Sequence, residues 1–194
     1  TGTLVANNTV YNIDHDGFQL SYGPNTLFNN TAYNNINGDG FSFSSGSNNN
    51  LTNCTAFNNS YGFYVGGESW GNRIVNSRAY NNIVDGFYIG EEGTVLIGDN
   101  SFNNANDGYE VNGYPTGASF ITITSSNATL NGNHGLHITE VSGAQIDPSY
   151  FCNNTGAEGV LVENSTNVTI INSVACNNAY HGIHLSNSNF SNVS

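Results

Sequence analysis

The sequence predicts an all-β protein: a single-stranded, right-handed parallel β-helix (solenoid) of about eight coils, with 22–24 residues and three short strands per coil. The main observation is a repeat, because a unit like AYNNIVDGFYI at residues 79–89 recurs on glycines at positions 17, 40, 62, 86, 108, 135, 159 and 182. Composition agrees, since Met and Lys are absent while Asn, Gly and aromatic residues abound, which favours strands and turns over helices. Repeats of this length typically build solenoids.

The first strand of each coil follows the repeat glycine. An apolar residue, a variable residue and a second apolar residue alternate there, which is typical of a half-buried strand. Two inward side chains cannot close a core by themselves, so each triplet is expected to stack on the next. The triplets are residues 18–20, 41–43, 63–65, 87–89, 109–111, 136–138, 160–162 and 183–185.

The other two strands of the coil lie between one triplet and the next repeat glycine. The second strand is visible at residues 73–75, 94–97, 120–123 and 168–171. The third is shorter and carries a small residue such as Ala56 or Ala79. Beside this small residue stand aromatic side chains that are expected to stack from coil to coil: Tyr33, Phe57, Tyr80 and Phe102.

Paired asparagines such as Asn81 and Asn82 mark a bend in most coils. Asparagine tolerates the left-handed backbone conformation that a sharp bend requires, and its side-chain amide can bond to the neighbouring coil. The pairs are therefore expected to form an internal asparagine ladder along the solenoid.

Residues 1–194 are expected to form one domain, because the repeat runs through the chain without a linker. The chain starts in mid-pattern and lacks a closing helix, so we expect a segment of a longer chain or a repeating subunit of an assembly. Uncapped solenoid ends expose unpaired strands, and the expected partners are further coils or other copies of the chain, stacked end to end.

The charge of the chain restricts its partners and its location. The formal net charge is -12, and the basic residues are Arg73 and Arg78, so the counterion release that drives nucleic-acid binding is disfavoured. No apolar run approaches the roughly 20 residues that cross a bilayer. Many Asn-x-Ser/Thr sequons suit an extracellular or cell-surface protein.

Three cysteines, Cys54, Cys152 and Cys176, cannot all pair within the chain. Cys152 and Cys176 occupy the same position in adjacent coils, within disulfide reach of each other. Both a disulfide and a stack of reduced cysteines are compatible with this placement.

The repeat units resemble the pectate-lyase-like superfamily, and more closely the β-helix repeats of NosD-like and carbohydrate-binding/sugar-hydrolase proteins. The resemblance is carried by residues 34–43, 58–65, 81–89, 103–111, 153–162 and 177–185. It implies the right-handed parallel β-helix fold and covers nearly the whole chain. It implies little about activity, because the repeated residues are those that build the coil.

Acidic residues often precede the repeat glycine, and they are the weak catalytic candidates: Asp16, Asp39, Asp85 and Asp107. In a β-helix they share one column, so adjacent acids have backbones about 5 Å apart, near the separation of retaining-glycosidase carboxylates. The alternative is that Asp-Gly is simply a good turn dipeptide. We favour the turn, because this acid is part of the repeat, and assign no catalytic residue.

The same column becomes His134, Glu158 and His181 towards the C-terminus, and these three are the weak metal candidates. His137 and His184 lie two residues beyond the glycines, on the outer face. Imidazole and carboxylate groups together suit a divalent transition metal. Resemblance to NosD-like proteins also implies copper handling, but the absence of Met argues against soft copper.

The loops after the first strand are the most variable, and they place Tyr22, Trp70 and Tyr114 along one edge with several glutamates. Exposed aromatic rings beside carboxylates are a common way to hold a sugar chain, so these three residues are the carbohydrate-binding candidates. The glutamates, Glu68, Glu91, Glu92, Glu140 and Glu163, offer oxygen ligands to calcium, the one cofactor considered; otherwise no cofactor is expected.

Two functions remain open. The favoured prediction is a non-catalytic extracellular structural solenoid, a surface or filament-forming module that contacts carbohydrate, because the repeat is regular and shows no singular polar cluster. The alternative is a polysaccharide-active enzyme, a glycoside hydrolase or lyase of the pectate-lyase-like superfamily. A lyase acting on uronates needs a base and a cation for the carboxylate, and arginine is scarce in this chain.

Overall fold

The computed structural model describes residues 2–114, 117–189 and 192–194 and confirms the predicted all-β solenoid. The described residues form 25 short strands in three parallel sheets and contain no helix, hence none that could span a membrane. Each strand pairs with the equivalent strand of the neighbouring coil, as in Phe87 with Phe63 on one side and Tyr109 on the other. The coils therefore stack in register.

The strands fall into three sheets, each taking one strand per coil. Sheet A contains β1 (Leu4–Ala6), β4 (Thr26–Phe28), β7 (Asn50–Thr52), β10 (Arg73–Val75), β13 (Val95–Ile97), β16 (Ser119–Thr124), β19 (Ser142–Ile146), β22 (Thr166–Ile170) and β25 (Asn192–Val193). Sheet B contains β2 (Thr9–Tyr11), β5 (Thr31–Tyr33), β8 (Thr55–Phe57), β11 (Arg78–Tyr80), β14 (Asn100–Phe102), β17 (Asn127–Thr129), β20 (Tyr150–Cys152) and β23 (Val174–Cys176). Sheet C contains β3 (Phe18–Leu20), β6 (Phe41–Ser44), β9 (Phe63–Gly66), β12 (Phe87–Ile89), β15 (Tyr109–Asn112), β18 (Leu136–Thr139), β21 (Val160–Glu163) and β24 (Ile183–Ser186).

The core is a narrow column of inward side chains from all three sheets. On sheet C the rings of Phe18, Phe41, Phe63, Phe87 and Tyr109 stack on one another with centroids 4.7–4.9 Å apart. On the outer face of sheet B a second stack joins Tyr11, Tyr33, Phe57, Tyr80 and Phe102, which confirms the predicted aromatic column. Because successive side chains of a strand point to opposite faces, the middle residue of each sheet C triplet faces outward.

The asparagine ladder is confirmed and lies at the corner between sheets B and C. The second asparagine is buried in every pair but the last, where Asn178 is half-buried. Its side-chain carbonyl accepts the backbone N–H of the equivalent residue one coil earlier, as when Asn59 donates to Asn82 over 3.1 Å. The ladder runs through Asn35, Asn59, Asn82, Asn104, Asn131, Asn154 and Asn178. The first asparagine has a left-handed φ, which is 54° at Asn81, and Leu130 holds that position where the pair is broken.

A second ladder, at the corner between sheets A and B, was not predicted. Its side-chain oxygen atoms accept a backbone N–H from the preceding coil. They belong to Asn30 near the N-terminal end and, further along, to Ser77, Asp99, Ser126, Ser149 and Ser173. Asp99 is fully buried; one carboxyl oxygen accepts the N–H of Ser77 over 2.7 Å, and the other has no hydrogen-bond partner among the described residues. Burial raises the pKa of Asp99 well above its ordinary value.

The repeat glycines owe their place to close packing rather than to a special backbone conformation. None of them is among the glycines with positive φ. A Cβ added to Gly62 would lie 2.5 Å from the carbonyl oxygen of Gly86 and 2.7 Å from the Cβ of Ala79. The small residue predicted in sheet B is therefore the packing partner of the repeat glycine.

The structure resolves the alternative left open for the cysteines. Cys152 and Cys176, which face each other in β20 and β23, form a disulfide with their Cα atoms 4.5 Å apart. Cys54 is free and buried.

Candidate functional site

The outer face of sheet C carries a continuous band of ionisable side chains. Two columns supply most of it: the residue before each repeat glycine, and the outward middle residue of each triplet. Glu163, the residue after the triplet of β21, adds to them. We call the part spanning these residues the sheet C cluster: Tyr61, Tyr64, Asp85, Tyr88, Asp107, Glu110, His134, His137, Glu158 and Glu163. The two columns lie three positions apart within a coil, and equivalent residues of adjacent coils lie 22 to 27 positions apart in the chain, where the parallel register brings them side by side.

The acid before the repeat glycine has a structural contact in several coils. The Asp85 carboxylate accepts the backbone N–H of Asp107 over 2.9 Å and the side-chain amide of Asn106 over 2.8 Å. Asp16 likewise accepts the N–H of Asp39 over 2.9 Å. Each of the four predicted acids joins its coil to the next, because Asp39 and Asp107 accept the backbone N–H of Tyr61 and His134 in the same way.

Asp85 is a buried carboxyl group that retains its proton near neutral pH. Burial, followed by the negative charge of Asp107, raises the pKa of Asp85 to about 8. Its second oxygen is buried without a hydrogen-bond partner among the described residues. Asp39 behaves similarly, because burial and the charge of Asp16 raise its pKa to about 7.

Asp107, one coil further, is held in the opposite protonation state by two histidines. Its Oδ1 lies 3.0 Å from His134 Nδ1 and its Oδ2 lies 3.6 Å from His137 Nδ1. Burial alone would raise the pKa of Asp107, but the hydrogen bonds from His134 and His137 outweigh it and bring the pKa to about 2. Its side chain is only 2% exposed, so a molecule bound at this surface would not touch it directly.

His137 is the positive charge of the cluster. Burial acts to lower the pKa of His137, but hydrogen bonds to Asp107 and to Glu163 raise it to about 9. His137 Nε2 lies 3.0 Å from Glu163 Oε1, and the Glu163 side chain is 36% exposed. An imidazolium therefore sits at the surface of a face that has no arginine, since Arg73 lies on β10 in sheet A and Arg78 on β11 in sheet B.

Three tyrosines form the other end of the cluster. The rings of Tyr64 and Tyr88 stack with centroids 4.9 Å apart, and Tyr61 meets both edge-on at 5.5 and 5.7 Å. Burial, assisted by the charge of Asp85, raises the pKa of Tyr61 to about 12, and burial also raises that of Tyr88 to about 12. The phenols are therefore hydrogen-bond donors at neutral pH.

The predicted metal trio is divided between two neighbouring groups. His134 belongs with Asp107 and His137, whereas Glu158 belongs with His181 and His184, whose ring Nδ1 atoms both lie 3.2 Å from Glu158 Oε1. Glu158 Oε2 also lies 3.3 Å from His134 Nε2, which links the two groups.

The predicted carbohydrate-binding residues lie outside the sheet C cluster, at the corner between sheets C and A. Tyr22, Trp70 and Tyr114 are all exposed, follow β3, β9 and β15 respectively, and make no ring contact with one another within the described ranges. Trp70 borders an open hollow of about 340 Å³, whose other lining residues are Glu68, Glu91 and Glu92. The grouping of Trp70 with these glutamates agrees with the sequence.

Sequence reasoning missed several members of the cluster: Tyr61, Tyr64, Tyr88, Glu110 and the pairing of His137 with Glu163. A signal was present, because the outward middle residue of the triplet is Gln19 or Ser42 in the early coils and becomes Tyr64, Tyr88, Glu110 and His137 in succession. Aligning this outward position by coil would have found the band.

Comparisons with known proteins agree with the fold. The sequence matches the family described as "right handed beta helix region" over residues 1–78 and 61–194. No curated protein sequence matches it significantly.

Solved structures with the same fold include three polysaccharide enzymes. The Azotobacter vinelandii mannuronan C-5 epimerase AlgE4 A-module has a TM-score of 0.81 and 18% identity, over 95% of this chain and 57% of that one. The periplasmic alginate epimerase AlgG has a TM-score of 0.72 and 12% identity, over 91% of this chain and 62% of that one. Pectate lyase Pel9A has a TM-score of 0.61 and 17% identity, over 95% and 69%.

The prediction of a non-catalytic structural solenoid is wrong. The similar structures are epimerases and a lyase that act on polysaccharides, which favours the alternative prediction of an enzyme. The argument for a structural module also assumed that no singular polar cluster exists, whereas Asp107, His134 and His137 form one. The prediction failed because outward positions of adjacent coils were not considered together.

Proposed function

The chain belongs to the right-handed β-helix family, and from this premise we propose that it is a polysaccharide-active enzyme whose reacting groups lie in the sheet C cluster. The observation that carries the proposal is the contact of Asp107 with His134 and His137, one coil from the protonated Asp85. Neighbouring titratable groups whose pKa values are pushed apart are typical of acid–base catalysis. The names of the similar structures point to uronate polymers, namely mannuronan, alginate and pectate.

The chemistry that fits this cluster is removal of the C5 proton from a uronate residue, the first step of both elimination and epimerisation. That step requires a base and a positive charge that neutralises the sugar carboxylate. His134, whose Nδ1 lies against Asp107, supplies the base through Nε2, which Glu158 must leave when the substrate binds. His137 supplies the charge that the scarcity of arginine had seemed to exclude.

Glu163 occupies the position that the substrate carboxylate would take. It is the more exposed of the two carboxylates on His137, at 36% against 2% for Asp107. A uronate carboxylate that displaces Glu163 would keep the imidazolium paired while bringing the sugar ring over His134. Tyr64 and Tyr88 would then offer their stacked rings to the next sugar along the sheet.

Hydrolysis is the second candidate, because oxygen atoms of Asp85 and Asp107 lie within 4.8 Å of each other, within the range of a glycosidase pair. Burial argues against it. Both carboxyl groups lie beneath the surface, at 0% and 1% residue exposure, so neither reaches an anomeric carbon without rearrangement.

The proposed location is outside the cytoplasm. The Cys152–Cys176 disulfide supports it, because disulfides persist in oxidising compartments. One of the similar structures is described as periplasmic.

The proposal is tested by incubating the protein with polymannuronate, alginate and pectate in D₂O and following deuterium at C5 by NMR. Both elimination and epimerisation incorporate or remove hydrogen at that carbon, and absorbance of the unsaturated product separates the two. We expect turnover on at least one polymer and a 10²–10⁴-fold lower kcat for His134→Gln, the typical contribution of a general base.

The control is Gln19→Ala, which changes an outward residue of β3 at the far end of sheet C. Its activity should equal that of the wild type. Reducing ends released with neither an unsaturated product nor C5 exchange would instead indicate hydrolysis, and inactivity on all polymers would contradict the proposal.

A further inference from the structure

A two-histidine motif occurs twice on sheet C, in the same setting. Residues 134–138 read His-Gly-Leu-His-Ile and residues 181–185 read His-Gly-Ile-His-Leu. An acid occupies the same column one coil earlier, Asp107 for the first copy and Glu158 for the second. Both copies therefore place two imidazoles and one carboxylate together, two coils apart along the solenoid.

The surroundings of the two copies differ. In the first copy the imidazoles of His134 and His137 each meet a carboxylate on both ring nitrogens, from Asp107, Glu158 and Glu163. In the second copy Glu158 is the single carboxylate against His181 and His184, and no described residue lies within hydrogen-bond distance of their Nε2 atoms. The second pair is also exposed, at 64% and 42% of the side chain, so a solute can reach it.

The distances in the second copy match a metal coordination shell. Zinc–nitrogen and zinc–oxygen bonds of about 2.0–2.1 Å in a tetrahedron put neighbouring ligand atoms about 3.3 Å apart. His181 Nδ1 and His184 Nδ1 each lie 3.2 Å from Glu158 Oε1, and the ligand atoms of the three residues lie within 4.8 Å of one another. Small rotations of the two exposed imidazole rings would bring the third ligand distance, between His181 and His184, to the same value.

We propose that Glu158, His181 and His184 form a binding site for one divalent transition metal ion, with zinc as the preferred metal. Two imidazoles and one carboxylate are a ligand set that suits zinc and leaves the fourth position open to water. The net charge of -12 on the chain further favours a cation. The site shares Glu158 with the sheet C cluster, but its imidazoles lie outside that cluster, so metal binding is measured without reference to polysaccharide activity.

The test is calorimetric titration of the chelator-treated protein with Zn²⁺ at a pH near 7.5, where ordinary histidines with a pKa of about 6.5 are neutral. Co²⁺ titration provides a second readout, because tetrahedral Co²⁺ absorbs strongly in the visible range. We expect one ion per chain, and at least tenfold weaker binding for His181→Ala, His184→Ala and Glu158→Gln.

Two control variants locate the ion. His15→Ala removes an exposed histidine of the first coil, and His137→Gln alters the first copy of the motif; both should bind Zn²⁺ as the wild type does. Circular dichroism of each variant checks that the solenoid is intact. Absence of binding to the wild type, unchanged affinity in the folded His181→Ala/His184→Ala double variant, or loss of binding in His137→Gln would each overturn the proposal.

Discussion

Asp85 and Asp107 are equivalent residues of adjacent coils, yet their pKa values are moved in opposite directions, to about 8 and about 2. Burial raises both. The difference is that Asp107 receives hydrogen bonds from His134 and His137, whereas Asp85 faces other carboxyl groups. A single exchange of neighbour between coils thus reverses the direction in which the pKa of this acid moves.

At Asp99, burial of a carboxyl group changes the stability of the folded protein. Burial raises its pKa well above the ordinary value, so the folded state holds a proton that the unfolded chain releases. A raised pKa contributes stability that is fully present below the unfolded pKa of about 3.9 and is lost as pH rises towards the folded value. Asp99→Asn keeps the shape without an ionisable group, and asparagine already serves this ladder at Asn30.

We therefore expect Asp99→Asn to raise the melting temperature at pH 8 and to lose that advantage near pH 4. Thermal unfolding of both proteins across this range measures the effect. The exposed Asp14→Asn variant is the control and should leave the melting temperature unchanged at both pH values. A melting temperature that falls at pH 8 in Asp99→Asn would show that the carboxyl group has a charge-dependent role.

At the scale of the strand, the coil is held by complementary small residues and by side-chain ladders. The repeat glycine packs against the small residue of sheet B from the next coil. The side chain of the buried asparagine accepts a backbone N–H from the preceding coil. Neither contact is visible within one coil, because each joins residues of adjacent coils that lie 15 to 27 positions apart in the chain.

Gly62→Ala is expected to lower the free energy of unfolding by roughly 1–3 kcal/mol, the usual cost of overpacking a core. The new methyl group would meet Gly86 and Ala79, which are backbone and core positions that cannot move away. Urea denaturation measures the change. Gly182→Ala is the matched control, because the same repeat position there has its nearest contact at 3.5 Å and should be tolerated. Equal losses in both variants would refute the packing argument.

At the scale of the whole molecule, stability accumulates from coil to coil, and the disulfide ties two coils directly. It closes a loop of 24 residues, for which the entropic model gives a stabilisation of about 3 kcal/mol. Cys152→Ser/Cys176→Ser should therefore unfold at lower urea concentration than the wild type.

Reductant distinguishes this effect from lost packing. It should destabilise the wild type and the Cys54→Ala variant, which retains the disulfide, but leave the Cys152→Ser/Cys176→Ser variant unchanged. Insensitivity of the wild type to reductant would contradict the assigned role of the bond. End-to-end stacking of copies and calcium binding by the loop glutamates stay predictions at this scale.

The sequence by itself determined the solenoid, its three strands per coil and its asparagine ladder. It could do so because each coil repeats the same pattern of inward and outward residues. The pattern that predicts the strands of one coil therefore also predicts how the coils stack. The ladder of Ser77 and Asp99 was missed because its residue type changes from coil to coil, and hydrogen-bonding capacity rather than identity is repeated there.

Only the tertiary structure decided which polar residues act together. The outward positions of sheet C do not build the core of the solenoid, so their residue type changes from coil to coil instead of repeating with the period of the coil. The register between adjacent coils determines which of these side chains are in contact. It separates His134 from His181, places His137 between Asp107 and Glu163, and buries Asp85. Burial and neighbouring charge then set the pKa values, and neither can be read from a single coil.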